Sequence, residues 1–253
     1  MKLYAKRVGQ GDPRLLLHCS LGVSDMLLPL VRALPAAENI LVDLPGHGRS
    51  PEWRDAVRDG DYPSVTIAGA IAELSGPTHI VGHSYSGAVA LRLAVERPDL
   101  VSRLTLIEPV LFAATRGSAA YADYEDIFAP FAKAWAQGDR EGAARAFIGL
   151  WGFGVPWEET PTAQRRAIVD RIHLIPAAAG FLERDETGIL SHLSKISCPV
   201  DLVQGSDSPT IVSSILDVLE TDLPNASRHV IEGAGHMVPI THARAVAEAL
   251  AKV

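Results

Sequence analysis

The chain has 253 residues, 47% of them hydrophobic and 21% charged, with a formal net charge of −7. That composition supplies ample material for a globular core and excludes a disordered chain. The acidic balance excludes general electrostatic attraction to nucleic acid or to anionic membranes, so the expected partner is a small-molecule substrate, and a homo-oligomer stays open.

In chain order, the amino terminus carries Lys2, Lys6 and Arg7 where a secretory leader would need an apolar run. No apolar stretch approaches membrane-spanning length, so a cytoplasmic protein is expected. Short runs rich in Val, Ile and Leu at residues 14–18, 39–43, 78–82, 102–108, 199–205 and 228–232 read as strands buried on both faces. Helical spacing over 86–97, 210–220 and 241–252 alternates with them. This order predicts an α/β fold: a mostly parallel central sheet with helices on both faces.

Residues 110–193 break the alternation, with amphipathic helical pieces and no strand. They read as an inserted helical cap on a core formed by residues 1–109 and 194–253. Trp135, Trp151 and Trp157 fall in this stretch, as do Phe112, Phe128, Phe131, Phe147, Phe153 and Phe181. Most of these rings are expected to form the cap's own core and some to line a pocket. Cys19 and Cys198, distant in sequence and next to predicted strands, read as reduced, buried thiols.

The segment Gly82-His83-Ser84-Tyr85-Ser86-Gly87 runs from a strand directly into a helix. A sharp turn there lifts the Ser84 hydroxyl above the strand end, in a strained conformation that small neighbours two positions away permit. The pattern G-x-S-x-G is met except that Ser86 stands for the final glycine, with Gly87 after it. On its own the segment is also compatible with a serine that merely caps the helix.

Four segments together carry a family likeness: Leu15-Leu16-Leu17-His18, Asp43-Leu44-Pro45-Gly46-His47-Gly48-Arg49-Ser50, Gly82 to Gly87, and Gly233-Ala234-Gly235-His236. In order and spacing the chain resembles the α/β-hydrolase superfamily, in particular its capped esterases, lactonases and carbon–carbon-bond hydrolases. The resemblance implies Ser84 as nucleophile and His236 as general base, an imidazole being suited to take and return a proton near neutral pH. His18 and His47 read as residues that hold loops.

For the acid that orients the base, the resemblance leaves two candidates. The common position follows the strand at 199–205, but Ser208 stands in that register and Asp207 is one residue early. Glu108, at the end of the preceding strand, is the alternative and is preferred, because an ionisable group ending an apolar strand calls for a partner. The oxyanion donors it implies are the N–H groups of Tyr85 and Ser20, with Leu21 as a substitute for the second, since Cys19 replaces the family's glycine in that loop. Cys19 itself reads as a packed thiol.

The function expected from this resemblance is hydrolysis of an ester or lactone through an acyl-enzyme. The alternatives are carbon–carbon-bond hydrolysis with the same residues, or a catalytically silent ligand-binding protein. No metal or cofactor is expected, for the chain lacks C-x-x-C, H-E-x-x-H, P-loop and dinucleotide patterns.

Overall fold

The structure, a computed structural model, describes residues 1–53 and 61–251. Seven strands form one sheet: β1 (Ala5–Val8), β2 (Pro13–Leu17), β3 (Glu38–Val42), β4 (Thr78–His83), β5 (Val101–Ile107), β6 (Val200–Gly205) and β7 (Ala226–Ile231). Their spatial order is β1-β3-β2-β4-β5-β6-β7, antiparallel between β1 and β3 and parallel elsewhere. The parallel order puts the carboxyl ends of β2 to β7 at one edge, the edge where α/β sheets bind ligands.

Successive strand residues face opposite sides, and both sides are buried. Leu15, Ile80 and Leu106 belong to one large cluster, while Leu16, Val81 and Ile107 belong to another. The second is closed by α1 (Leu28–Ala33) and, at the far end of the chain, the helix Ala243–Leu250, through Leu30, Val246 and Leu250. The first is closed by α2 (Tyr62–Ile71), α3 (Tyr85–Glu96) and residues of the helical insertion.

Between β5 and β6 the chain is helical: α4 (Ala119–Ala136), α5 (Arg140–Trp151), α6 (Thr162–Arg171), α7 (Leu174–Ala177) and α8 (Ala179–Arg184), joined by short 3-10 turns. Phe131, Trp157, Ile168 and Ile172 make a small buried cluster within this stretch, with Leu21 packed against it. Phe112, Trp151 and Phe181 instead join the main core, so the insertion is fused to the body beneath it. The remaining helices are α9 (Thr210–Asp222), α10 (Val238–Thr241) and α11, the Ala243–Leu250 segment already described.

Three differences from the sequence reading have physical causes. β1 was not among the expected strands, because its Lys6 and Arg7 give it the short, charged character of an edge. The strand near 228–232, expected to be buried on both faces, is β7, the opposite edge, mostly half-buried with Val230 exposed. The last helix is broken at His242 into α10 and α11, and its expected end at Lys252 lies outside the described residues. Cys19 is buried as expected, but Cys198 is only partly so; both are free thiols. Among the described residues no helix is long and apolar enough to cross a membrane.

Candidate active site

Ser84 is the single residue between β4 and α3, with φ 60° and ψ −120°. A non-glycine residue held at positive φ stores strain, which persists where the surroundings over-determine it. Here its N–H donates to Ile107 O at 2.8 Å and its carbonyl accepts from Gly87 N at 2.8 Å. Gly82 is required, since a Cβ there would lie 2.2 Å from Ser86 O. Ser86, the departure from G-x-S-x-G, is fully buried and donates its hydroxyl to His18 O at 2.6 Å, tying α3 to the end of β2.

Three side chains from three strand ends meet in line. His236 Nε2 lies 2.9 Å from Ser84 Oγ, and its Nδ1 lies 3.0 Å from Glu108 Oε2. The carboxylate can only accept, so Nδ1 carries the proton and Nε2 is left to accept from the serine hydroxyl. Glu108 is fully buried at φ 52°, immediately after β5. Its other oxygen accepts from Gly205 N at 2.6 Å and from Ser208 Oγ at 2.7 Å, so three donors offset its removal from water.

Asp207 is not part of this line. It is exposed, and its carboxylate accepts a hydrogen bond from Ser206 Oγ at 3.0 Å. Of the two candidate acids the structure brings Glu108 to the imidazole and turns Asp207 away, as its one-residue offset in the turn after β6 implies. Sequence reasoning missed the part of Ser208: the residue standing in the register expected for an acid donates instead to the Glu108 carboxylate.

Two other contacts hold His236. Its carbonyl accepts from Nε2 of His83 at 2.8 Å, and the Trp151 ring stands edge-on 4.6 Å from its imidazole. His83 is kept neutral, its pKa lowered to about 3 by burial and then by His236. The aromatic richness of residues 110–193 was the only sequence signal for Trp151.

The loop after β2 is fixed by two buried histidines. His18 Nε2 accepts from Leu44 N and His47 Nε2 accepts from Leu21 N, each at 3.0 Å. Their Nδ1–H groups donate to Cys19 O at 2.7 Å and Pro45 O at 2.9 Å. Cys19 is not at positive φ; in this loop it is Leu21 that is held there, at φ 60°. Leu21 N–H is engaged by His47, whereas Ser20 N–H donates no hydrogen bond among the described residues. Tyr85 opens α3, its ring buried and stacked on Tyr62 at 5.3 Å. Burial pushes the Cys19 thiol up to about 12, leaving it protonated and inert near neutral pH.

These histidines link the loop to pH. Burial is the main cause lowering His18 to about 4 and His47 to about 3, from an ordinary 6.5. Neutral in the fold, they bind protons on unfolding, so their stabilisation is complete above the unfolded value and is lost as pH falls toward the folded one. For His18 alone the full loss is roughly 3 kcal/mol. Urea unfolding should therefore give a midpoint that drops between pH 7 and pH 4.5; a flat midpoint there would contradict the neutral assignment.

Ser84 lies on the wall of a cavity of about 500 Å³ between the strand ends and the insertion, shared with Ser20, Trp151, His236 and Arg171. A side pocket of about 40 Å³, also reaching Ser84 and Ser20, is lined by Phe112, Phe128, Phe147 and Trp151. Beyond His236 opens a cleft of about 750 Å³ with Asp123, Asp126 and Asp207 on its walls.

Comparison with known proteins bears on the family and the fold. Over 252 residues the chain is 24% identical to (E)-2-((N-methylformamido)methylene)succinate hydrolase of Acinetobacter baylyi, covering 96% of this chain and 90% of that one. It is 29% identical over 224 residues to Esterase Rv0045c of Mycobacterium tuberculosis, covering 83% of this chain and 72% of the other. Among solved structures, the esterase EaEST of Exiguobacterium antarcticum superposes with a TM-score of 0.73 at 19% identity, over 99% of this chain and 94% of that one. Residues 15–249 match the sequence profile of the Alpha/beta hydrolase family. The chain, a hydrolase, therefore belongs to the alpha/beta hydrolase family.

Proposed function

We propose that the protein is a serine hydrolase that cleaves an ester or lactone bond of a small, partly apolar substrate through an acyl-enzyme. The observation that carries this reading is the unbroken line from Ser84 Oγ to His236 to Glu108 at 2.9 and 3.0 Å, opening on a cavity. His236 Nε2 takes the serine proton as Oγ attacks the carbonyl carbon, and Glu108 stabilises the imidazolium so formed. The N–H groups of Tyr85 and Ser20 receive the developing oxyanion. His236 then gives its proton to the leaving alcohol, and water repeats the sequence to release the acid.

The relatives named as esterases or hydrolases support the reaction class. Helices α4 to α8 act in this reading as a cap over residues 1–109 and 194–253, shaping the substrate cavity. The free thiols of Cys19 and Cys198 fit a reducing, cytoplasmic setting.

The test is a fluorophosphonate probe read by intact mass, followed by turnover of short-chain esters and lactones. One covalent adduct with ester turnover is expected; folded protein that gains no adduct and turns over no ester would refute the proposal. A second expectation concerns Ser208. Ser208→Ala removes one of three donors to Glu108, and kcat should fall about tenfold, the scale of one hydrogen bond to a charged group. Steady-state kinetics on the same ester would check it.

A further inference from the structure

Among the described residues, the cavity that holds Ser84 carries one full charge on its wall, and that charge is positive. Arg171 closes α6, which turns Gln164, Ala167, Ile168 and Arg171 toward the cavity at helical spacing. Among the described residues no aspartate or glutamate lines this cavity. Nor does Arg171 form an ion pair with any described residue: its Nε donates to Gly46 O and its Nη1 to Ala167 O, each at 2.9 Å. Both acceptors are neutral carbonyls, so the guanidinium is oriented without being neutralised.

An arginine in a helix's last turn also serves the helix by bonding its terminal carbonyls. That role occupies Nη1 and leaves Nη2 without a partner among the described residues. The bond to Gly46 O holds the side chain against the turn that carries His47, whose ring in turn fixes Leu21 N beside Ser20. The guanidinium is thus anchored to the turn that, through His47 and Leu21, braces the loop that would receive the oxyanion. Its charge is felt there, contributing to the lowered proton affinity of both His18 and His47.

The neighbouring cleft has the opposite character. Asp123, Asp126 and Asp207 line it, and His236 stands at the junction of the two spaces. An anionic group entering the site is repelled from one side and attracted to the other. The side pocket of about 40 Å³ has room only for a methyl- or ethyl-sized group, and Glu183 on its wall also disfavours an anion.

We propose that Arg171 is a specificity-determining residue that binds a substrate carboxylate, so that the protein selects esters carrying a free carboxylate on one side and a short apolar group on the other. This rests on Ser84 being the nucleophile and adds to it the class of substrate. A guanidinium presents its N–H groups in a fork that matches a carboxylate, so orientation as well as attraction is supplied.

The experiment compares kcat/KM for matched pairs: monomethyl esters of succinate to adipate against the corresponding dimethyl esters, and acetoxy acids against their methyl amides. The wild type should prefer the anionic member of at least one pair by tenfold or more. In Arg171→Gln that preference should collapse by about 10- to 100-fold, mainly through KM for the anionic ester, with Arg171→Lys recovering part of it. Glutarate should inhibit the wild type competitively against a neutral ester and lose that effect in Arg171→Gln.

A wild type that shows no preference in either pair, or a preference that survives Arg171→Gln, overturns the assignment. If Arg171→Gln does not fold, having lost its bonds to Gly46 and Ala167, the wild-type ratios and Arg171→Lys decide. Failure of the underlying reading would look different: no ester of either charge would be turned over and Ser84 would take no probe.

Discussion

Ser84→Ala is expected to lower kcat for a short-chain ester by roughly 10⁴- to 10⁶-fold, the scale found when a serine nucleophile is removed from such a unit. The fold should survive intact. The hydroxyl's partner is His236 Nε2, while the backbone bonds to Ile107 and Gly87 do not involve the side chain. Residual turnover of some 10³-fold over water would remain, since the oxyanion donors and the cavity are untouched. Ser84→Gly separates strain from chemistry, because glycine adopts φ 60° without steric cost. It should be equally inactive yet more stable, by about 1 kcal/mol, as expected where function holds a backbone in an unfavourable region. Thermal melts and ester kinetics on the two variants check both halves; a Ser84→Ala enzyme with a tenth of wild-type turnover would exclude Ser84 as the nucleophile.

The strands that carry this machinery were legible in the sequence because parallel strands buried on both faces are continuous apolar runs, and β2 to β6 are of that kind. At the edges β1 was missed, and β7 was read as a strand but as one buried on both faces, because both face water and carry charged or polar side chains. The elbow was legible through Gly82 and Ser84, whose spacing reflects a local steric constraint. Partners supplied across the sheet leave no local mark. That Ser86 bonds His18 O, that His47 holds Leu21 N, and that Arg171 reaches the turn at Gly46 depend on contacts 26 to 125 residues apart. The aromatic residues of 110–193 divide for the same reason: Phe131 and Trp157 pack among the helices between β5 and β6, whereas Trp151 ends beside His236, a distinction no periodicity records.

Glu108→Ala should cost about 10³- to 10⁴-fold in kcat, because the imidazole loses both its orientation and the charge that stabilises its protonated form. The same change leaves Gly205 N, Ser208 Oγ and His236 Nδ1 without their acceptor, so stability should fall as well. Asp207→Ala, at an exposed site bonded to Ser206, should change kcat less than threefold. Comparable losses from the two variants would remove the assignment of Glu108. The decisive variant exploits Ser208, whose hydroxyl sits 2.7 Å from the Glu108 carboxylate. Placing Ser208→Asp in the Glu108→Ala background delivers a carboxylate from the turn after β6 into the space that the glutamate vacates. Turnover should recover roughly 10- to 100-fold over Glu108→Ala, since what the imidazole needs is a carboxylate at Nδ1 rather than one from a particular strand. No recovery in a variant that folds would mean that the strained backbone at Glu108, with φ 52°, is itself needed to aim the acid.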